Sequence, residues 1–145
     1  MRRLLMIALS ITMFTACQRT HVKKELYEDG TLKSEKTYEK VNGKEVLVKE
    51  VDYHPNGQKY MEGGYVNELR EGYWASWYKS GSLWSEGEFK AGESNGKRTV
   101  YFENGKIYYT GYFNMGKRSG TWTFFDEDGE KINEIVYDSI PQVKK

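Results

Sequence analysis

Residues 101–107 read YFENGKI, and this pattern of an aromatic residue, two variable residues, Asn or Asp, and glycine recurs along the chain. The recurring glycines are spaced by 27, 24, 24 and 24 residues and are Gly30, Gly57, Gly81, Gly105 and Gly129. A fixed period of this length is the signature of a repeat array. Because a catalytic site requires unlike residues that converge on one point, an array of copied units predicts a protein that is not an enzyme.

The recurring glycines occupy predicted turns between strands. Asn-Gly and Asp-Gly between short aromatic or β-branched runs indicate hairpins, because a type I′ turn requires positive φ at both central residues. Ser80-Gly81 is a weaker form of this signal. The flanking runs are rich in Tyr, Trp, Phe, Val and Thr, which suit strands, and no helical periodicity follows Cys17. The sequence predicts an all-β fold, an elongated antiparallel array of about five stacked β-hairpin repeats.

Two columns of aromatic residues emerge when the copies are aligned on the turn glycine. The column four residues before it contains Leu26, Tyr53, Trp77, Tyr101 and Phe125, and the column eight residues after it contains Tyr38, Tyr65, Phe89, Phe113 and Tyr137. Both offsets are even, so alternation along a strand places both columns on one face if the turn and any bulge preserve the phase. We therefore predict that both columns form the core.

A second set of aromatic residues stands at odd offsets from the turn glycine. Tyr60, Trp84 and Tyr108 lie three residues after it, and Trp74 and Trp122 lie seven residues before it. Because Tyr and Trp are frequent interface residues, these five positions form the candidate binding surface. The alternative is that they pack on the other face of the array or cover strand edges.

Other recurrent residues receive structural predictions. Gly63, Gly87 and Gly111 stand where a glycine marks a bulge or a close approach of the next unit. Glu62 and Glu86 recur in register, which predicts a hydrogen bond or a pair with Lys across units.

Polar residues that could suggest a catalytic, anion-binding or metal site are predicted to have structural roles or to be solvated. His54 replaces an aromatic residue of other copies and is predicted to pack or to form part of a turn. The basic pairs Lys97-Arg98 and Lys117-Arg118 are predicted to be solvated residues of inter-repeat links, with contact to anionic lipid or phosphate as the alternative. Two histidines and one cysteine supply no metal-ligand spacing. We predict no catalytic residue, no metal site and no cofactor.

The first sixteen residues differ in kind from the repeats. Arg2 and Arg3 precede an apolar run of about eleven residues, which suits a secretory signal peptide and is too short to span a bilayer. The run ends at Ala16-Cys17, which resembles a bacterial lipobox with Phe14 in place of the usual Leu. The resemblance implies a signal peptide at 1–16 and a lipid on Cys17; the alternative is an ordinary signal peptide with a chance cysteine.

The remaining chain divides into a tether at 17–25, a repeat domain at 26–140 and a tail at 141–145. Removal of residues 1–16 takes away two of the 22 basic residues and leaves 20 against 21 acidic residues. A near-neutral chain with mixed charges lacks the basic face expected of a nucleic-acid-binding protein. We expect an exported protein that is attached through its lipid to the cell membrane or the outer membrane.

The repeat pattern resembles the MORN repeat, and more closely its bacterial variant. The resemblance rests on YFENGKI at 101–107 and on YFNMGKRSGTW at 112–122, and it extends over residues 26 to about 137. It implies an antiparallel β array of consecutive hairpins. Proteins with this variant are often described as YwqK-like antitoxins of toxin–antitoxin systems.

Two functions from different classes follow from these observations. The first is a non-catalytic, lipid-anchored envelope protein whose repeats bind another protein or a glycan. The second is an antitoxin or immunity protein that neutralises a toxin by direct binding. A toxin gene beside this one would favour the second, and selective retention of envelope protein or glycan by the array would favour the first.

Overall fold

The computed structural model describes residues 20–137, which form a single ten-stranded antiparallel sheet. The signal peptide predicted at 1–16, Cys17 and the tail at 141–145 lie outside the described residues. The strands are β1 (Thr20–Leu26), β2 (Leu32–Val41), β3 (Lys44–Tyr53), β4 (Lys59–Val66), β5 (Leu69–Trp77), β6 (Leu83–Lys90), β7 (Glu93–Tyr101), β8 (Ile107–Asn114), β9 (Lys117–Phe125) and β10 (Lys131–Tyr137).

The strand order in the sheet is the order along the chain. Five hairpins, β1–β2 through β9–β10, therefore join edge to edge by backbone hydrogen bonds, which confirms the predicted all-β hairpin array. Within residues 20–137 no helix is long and apolar enough to cross a membrane. The sheet begins at Thr20, so most of the segment that we expected to be a tether is strand β1, paired with β2 over its whole length.

The turn glycines adopt positive φ as expected, but the predicted type I′ turns are wrong at these positions. The φ of Gly105 is 85°, whereas Asn104 before it does not have positive φ. Gly105 N–H donates to the Phe102 carbonyl oxygen, and Phe102 N–H to that of Lys106. This is the three-residue loop with a type I turn and a glycine bulge. The Asn104 side chain accepts the Lys106 N–H (2.9 Å), which explains the preference for Asn or Asp.

The type I′ geometry occurs instead at the links between hairpins. Each of the four links consists of two residues, and both of them have positive φ: Asn42-Gly43, Asn67-Glu68, Ala91-Gly92 and Met115-Gly116. Such turns match the twist of adjacent strands and require only two residues. The links are thus as tightly structured as the hairpin turns, and the sheet continues from one repeat to the next without an irregular connection.

We expect Gly105→Val to lower the free energy of unfolding by about 2 kcal/mol, because a β-branched residue is strained at positive φ. A Cβ atom at Gly105 would have no heavy atom within 4 Å, so the cost is conformational and not steric. Gly105→Asn is the control, since Asn tolerates this conformation better. Denaturant unfolding that shows equal stability for the Val and Asn variants would contradict this explanation.

The two faces of the sheet carry different side chains. We call one the arginine face, which carries Arg70, Arg98 and Arg118, and the other the glutamate face, which carries Glu35, Glu62 and Glu86. Cross-strand pairs define the faces, since directly paired residues point to the same side. Arg98, for example, pairs with Gly87 and Gly111, while its neighbour Thr99 pairs with Glu86 and Thr110.

The two even-offset columns lie on opposite faces, so the prediction that they share one face is wrong. Trp77 and Tyr101 belong to the glutamate face, whereas Phe89 and Phe113 belong to the arginine face. The cause is a bulge three residues after each turn glycine. Leu83 and Ser85 pair with the consecutive residues Trp77 and Ser76, which leaves Trp84 as an extra residue. One extra residue inverts the alternation of all residues beyond it.

Candidate functional site

Trp74 and Trp122 form the centre of the core and not part of an exposed surface. Their exposed fractions are 4% and 1%, so their inclusion in the candidate binding surface is wrong. Each indole lies flat on a glycine of the preceding hairpin: a Cβ at Gly63 would lie 2.5 Å from Trp74 Cγ, and one at Gly111 would lie 2.6 Å from Trp122 Cγ. The predicted close approach at these glycines is therefore correct for both.

The indole N–H groups of these two tryptophans are satisfied within the sheet. Trp74 Nε1 donates to the Gly64 carbonyl oxygen (3.2 Å), and Trp122 Nε1 donates to that of Tyr112 (3.1 Å). Buried indoles require such partners, since an unpaired buried donor is costly. Both residues thus have the burial and the hydrogen bonding of structural core residues.

Arginine side chains stack on aromatic rings along the arginine face. The Arg70 guanidinium lies 4.2 Å from the Trp74 ring centre, and that of Arg118 lies 4.6 Å from the Trp122 ring centre. Arg98 lies between the rings of Phe89 (5.3 Å) and Phe113 (5.7 Å). These distances are typical of cation–π contacts. The prediction that Lys97-Arg98 and Lys117-Arg118 are link residues is wrong, because both pairs lie within strands β7 and β9.

The three residues at the other odd offset form an exposed row on three successive hairpins. Tyr60, Trp84 and Tyr108 are 40%, 41% and 42% exposed, and we call them the aromatic row. Each is the extra residue of a bulge, in strands β4, β6 and β8 respectively. Bulges re-aim side chains. Tyr60 and Trp84 line a cleft together with residues of the arginine face, and the Tyr108 ring centre lies 5.4 Å from that of Tyr109, which belongs to the same face. The same position is Lys33 in the first hairpin and Ile132 in the last.

Each ring of the aromatic row packs against a residue of its own hairpin turn. The ring-centre distances are 5.0 Å for His54 and Tyr60, 6.1 Å for Tyr78 and Trp84, and 4.9 Å for Phe102 and Tyr108. These partners hold the exposed rings in defined orientations. Because each exposed ring already packs against a neighbour, less side-chain entropy would be lost if a ligand covered it.

The turn residues also connect successive hairpins. The Tyr78 hydroxyl donates to the Tyr101 carbonyl oxygen (2.8 Å), and the Tyr27 hydroxyl to that of Tyr53 (2.7 Å). His54 Nε2 lies 2.9 Å from the Trp77 carbonyl oxygen, where a protonated nitrogen replaces the tyrosine hydroxyl of other copies. The structural role predicted for His54 is therefore correct.

A small cleft opens on the arginine face between Tyr60 and Trp84. Its volume is about 170 Å³, and Arg70, Arg98, Trp74 and Phe89 are among its lining residues. Arg98 Nε is buried without a hydrogen-bond partner, and burial lowers the pKa of this guanidinium, with nearby Arg70 acting in the same direction. All ion pairs among the described residues use Lys or His as the cation. The cleft thus contains two guanidinium groups without carboxylate partners.

The glutamate face is held by tyrosine–glutamate hydrogen bonds. Glu86 accepts from the hydroxyls of Tyr73 and Tyr101, both at 2.7 Å, and these bonds lower its pKa. Glu35 accepts from Tyr53 in the same way (2.8 Å). Trp77, which lacks a hydroxyl, replaces this tyrosine in the next hairpin, and Glu62 pairs with Lys59, whose ammonium lies 5.4 Å from the Trp77 ring centre. The predicted hydrogen bonds of the recurrent glutamates are thus present, but the predicted Lys pair across units is not, because Lys59 and Lys49, the partners of Glu62, belong to its own hairpin.

We expect alkaline pH to destabilise the sheet between about pH 10 and 12. Burial, together with a hydrogen bond to a glutamate, raises the pKa of Tyr53, Tyr73 and Tyr101 from 10.0 to about 12. A folded-state pKa above the unfolded value means that the stabilisation is complete below pH 10 and is lost as the pH rises through the folded pKa. The denaturant midpoint of the wild-type protein should fall across this pH range, and the midpoint of Tyr101→Phe should fall less. Phenolate absorbance that titrates entirely near the ordinary pKa would contradict this expectation.

The stacking of the arginines on rings was not predicted from the sequence, although one signal for Arg98 was present. The column seven residues before the turn glycine reads Lys23, Glu50, Trp74, Arg98 and Trp122. An arginine that alternates with tryptophans in one column indicates that its guanidinium takes the place of a ring.

Within residues 20–137, no group of three or more His, Cys, Asp or Glu side chains is placed to hold a metal ion.

Comparison with known proteins identifies the repeat. A family model described as a MORN repeat variant matches residues 22–40, 70–91, 94–115 and 118–139, which together exceed half of the chain. The matched segments correspond to hairpins β1–β2, β5–β6, β7–β8 and β9–β10. Hairpin β3–β4 is not matched, yet its turn has the same hydrogen bonds as the others. Neither a curated protein nor a solved structure gives a significant match.

Proposed function

The chain belongs to the MORN repeat variant family, and from this premise we propose that it is a non-catalytic, lipid-anchored protein of the bacterial envelope whose repeats bind another protein or a glycan. A repeat array of this family is suited to protein or membrane interaction, because each added hairpin lengthens one continuous surface. The observation that carries the binding role is the aromatic row, in which three exposed rings, each packed against a residue of its own turn, recur on successive hairpins.

The aromatic row has the features of a binding surface. Tyr and Trp rings bury large apolar area, and the packing against His54, Tyr78 and Phe102 reduces the entropy that binding would cost. Rings of this kind bind apolar side chains and the faces of sugar rings. The row lies beside the two guanidinium groups of the cleft, which add specificity for a ligand with anionic groups.

The membrane anchor in this proposal is a lipid on Cys17. Its support is the basic start, the short apolar run and the Ala16-Cys17 junction. Strand β1 begins at Thr20, so only two residues separate the cysteine from the sheet. An array that is attached by so short a connection would be held close to the membrane surface.

Labelling with a fatty-acid analogue tests the anchor. The wild-type chain should be labelled and should be recovered in the membrane fraction, whereas Cys17→Ala should be unlabelled. Equal labelling or equal solubility of the two forms would rule out the anchor.

Pull-down from envelope extract tests the binding role. Purified wild-type protein should retain an envelope protein or glycan, and Trp84→Ala should retain less of it. Retention of a toxin encoded beside this gene, by a form that carries no lipid, would instead establish the antitoxin function.

A further inference from the structure

We propose that the aromatic row binds a proline-rich, acidic polypeptide segment in the polyproline II conformation, which lies across the strands along the axis of the array. The inference deepens the proposed function and rests on its protein-binding form. It follows from the spacing of the rings, their free hydrogen-bond donors and the charge of the adjacent cleft.

The spacing of the aromatic row matches the polyproline II repeat. Tyr60, Trp84 and Tyr108 lie on β4, β6 and β8, so the backbone positions that carry successive rings are two strand spacings, or about 9.6 Å, apart along the sheet. A polyproline II helix rises about 9.3 Å for each turn of three residues. An extended β-strand instead repeats its side-chain pattern at about 6.6 Å, so its side chains would not stay in register with the rings.

The aromatic row also presents hydrogen-bond donors that the sheet does not use. Among the described residues, the Trp84 indole N–H and the hydroxyls of Tyr60 and Tyr108 have no acceptor, whereas the buried Trp74 and Trp122 donate to backbone carbonyl oxygens. A polyproline II segment has no internal hydrogen bonds, so all of its carbonyl oxygens are free to accept. Aromatic-lined surfaces bind such segments because the ligand is already ordered before it binds.

The positive charge of the cleft between Tyr60 and Trp84 indicates that the bound segment carries a negative charge. Arg70 and Arg98 line it, and neither forms an ion pair with a carboxylate of the described residues. A carboxylate is the complementary group for a guanidinium, and the stacked rings hold these two groups in place. The segment should therefore carry an acidic residue that enters the cleft when the flanking prolines cover the rings. From Tyr60 to Tyr108 is about 19 Å, which corresponds to roughly six residues of polyproline II.

The test measures the affinity of synthetic peptides for the protein purified in detergent from cells that express the full chain. The probe contains three Pro-Pro-Glu triplets and places one acidic residue on each turn. The first control replaces each proline with glycine, which removes the polyproline II preference. The second replaces each glutamate with lysine, and the third collects the three glutamates at one end. Calorimetry should show binding of the probe and at least about tenfold weaker binding of each control.

Two exposed aromatic residues on opposite faces provide matched variants. Trp84→Ala should weaken binding of the probe by about tenfold or more, and Trp84→Phe, which keeps a ring but removes the N–H, by less. Tyr112 is 51% exposed and lies on the glutamate face, paired with Lys97, so Tyr112→Ala should not change the affinity. The Phe variant keeps the test decisive if the Ala variant unfolds.

Several results would overturn the inference. They are the absence of probe binding, equal binding of the glycine control, and equal losses from Trp84→Ala and Tyr112→Ala. Trp84-dependent binding of a uronic-acid polysaccharide without binding of the peptide would also overturn it, while the glycan form of the proposed function would stand. Failure of both ligands, together with an unlabelled Cys17, would overturn the proposed function itself.

Discussion

Gly111→Ala is expected to lower the free energy of unfolding by about 3 kcal/mol or more, although it adds only one methyl group. The added Cβ would overlap the Trp122 indole, lying 2.6 Å from Cγ and closer to the ring atoms beyond it. Trp122 is 1% exposed and is surrounded by the rings of Tyr109, Phe113 and Tyr137, so it has no free space to enter. The backbone of strand β8 or the indole must therefore move, and both changes disrupt the core.

Gly87→Ala is the matched control for this prediction. Gly87 occupies the same place in the preceding hairpin, but the atom nearest to its Cβ would be Arg98 Nε at 3.2 Å. The Arg98 side chain needs to shift by only a few tenths of an ångström to relieve this contact, whereas the overlap of a Cβ at Gly111 with the indole is far larger. Chemical denaturation of both variants should thus show a small loss for Gly87→Ala and a large one for Gly111→Ala. Equal losses would mean that general strand propensity, and not the indole contact, requires glycine at these positions.

Trp122→Ala is expected to destabilise the protein by about 3–5 kcal/mol, while Trp84→Ala should cost far less. The two substitutions remove the same side chain, but Trp122 is 1% exposed and Trp84 is 41% exposed. Loss of Trp122 leaves a cavity among three aromatic rings and removes the stacking partner of Arg118. Loss of Trp84 removes the ring packing with Tyr78 and one wall of an open surface cleft, and it leaves no closed cavity in the core.

Thermal and denaturant unfolding of the two variants distinguish core from surface. A large loss of stability in Trp84→Ala would place that residue in the core and would remove the structural basis of the aromatic row as a binding surface. A small loss in Trp122→Ala would indicate that the outer hairpin β9–β10 contributes little to global unfolding. Far-ultraviolet circular dichroism of both variants before unfolding verifies that each begins from a folded sheet.

Local features of this protein could be predicted from the sequence. The all-β class, the five hairpins and the positive φ of glycines such as Gly105 follow from residue type and spacing, because they depend on interactions within a few residues. The position of the type I′ turns was not predictable from Asn-Gly or Asp-Gly alone. Asn104-Gly105 and Asn42-Gly43 have the same residues, yet the first forms a longer loop with a bulge and the second a two-residue turn. Pairing of the flanking strands decides between them.

The assignment of side chains to faces was decided only by the tertiary structure. Trp84 and Trp122 both stand at odd offsets and look equivalent in the repeat pattern, but one is exposed and the other is the most buried large residue of the described sheet. Trp84 is the extra residue of a bulge, whereas Trp122 is paired with Ile135 and lies against Gly111 of the neighbouring hairpin. The sequence by itself determined that the protein is a repeat of aromatic hairpins. Which rings became core and which became the candidate binding surface depended on strand register, since one unpaired residue inverts every side chain that follows it.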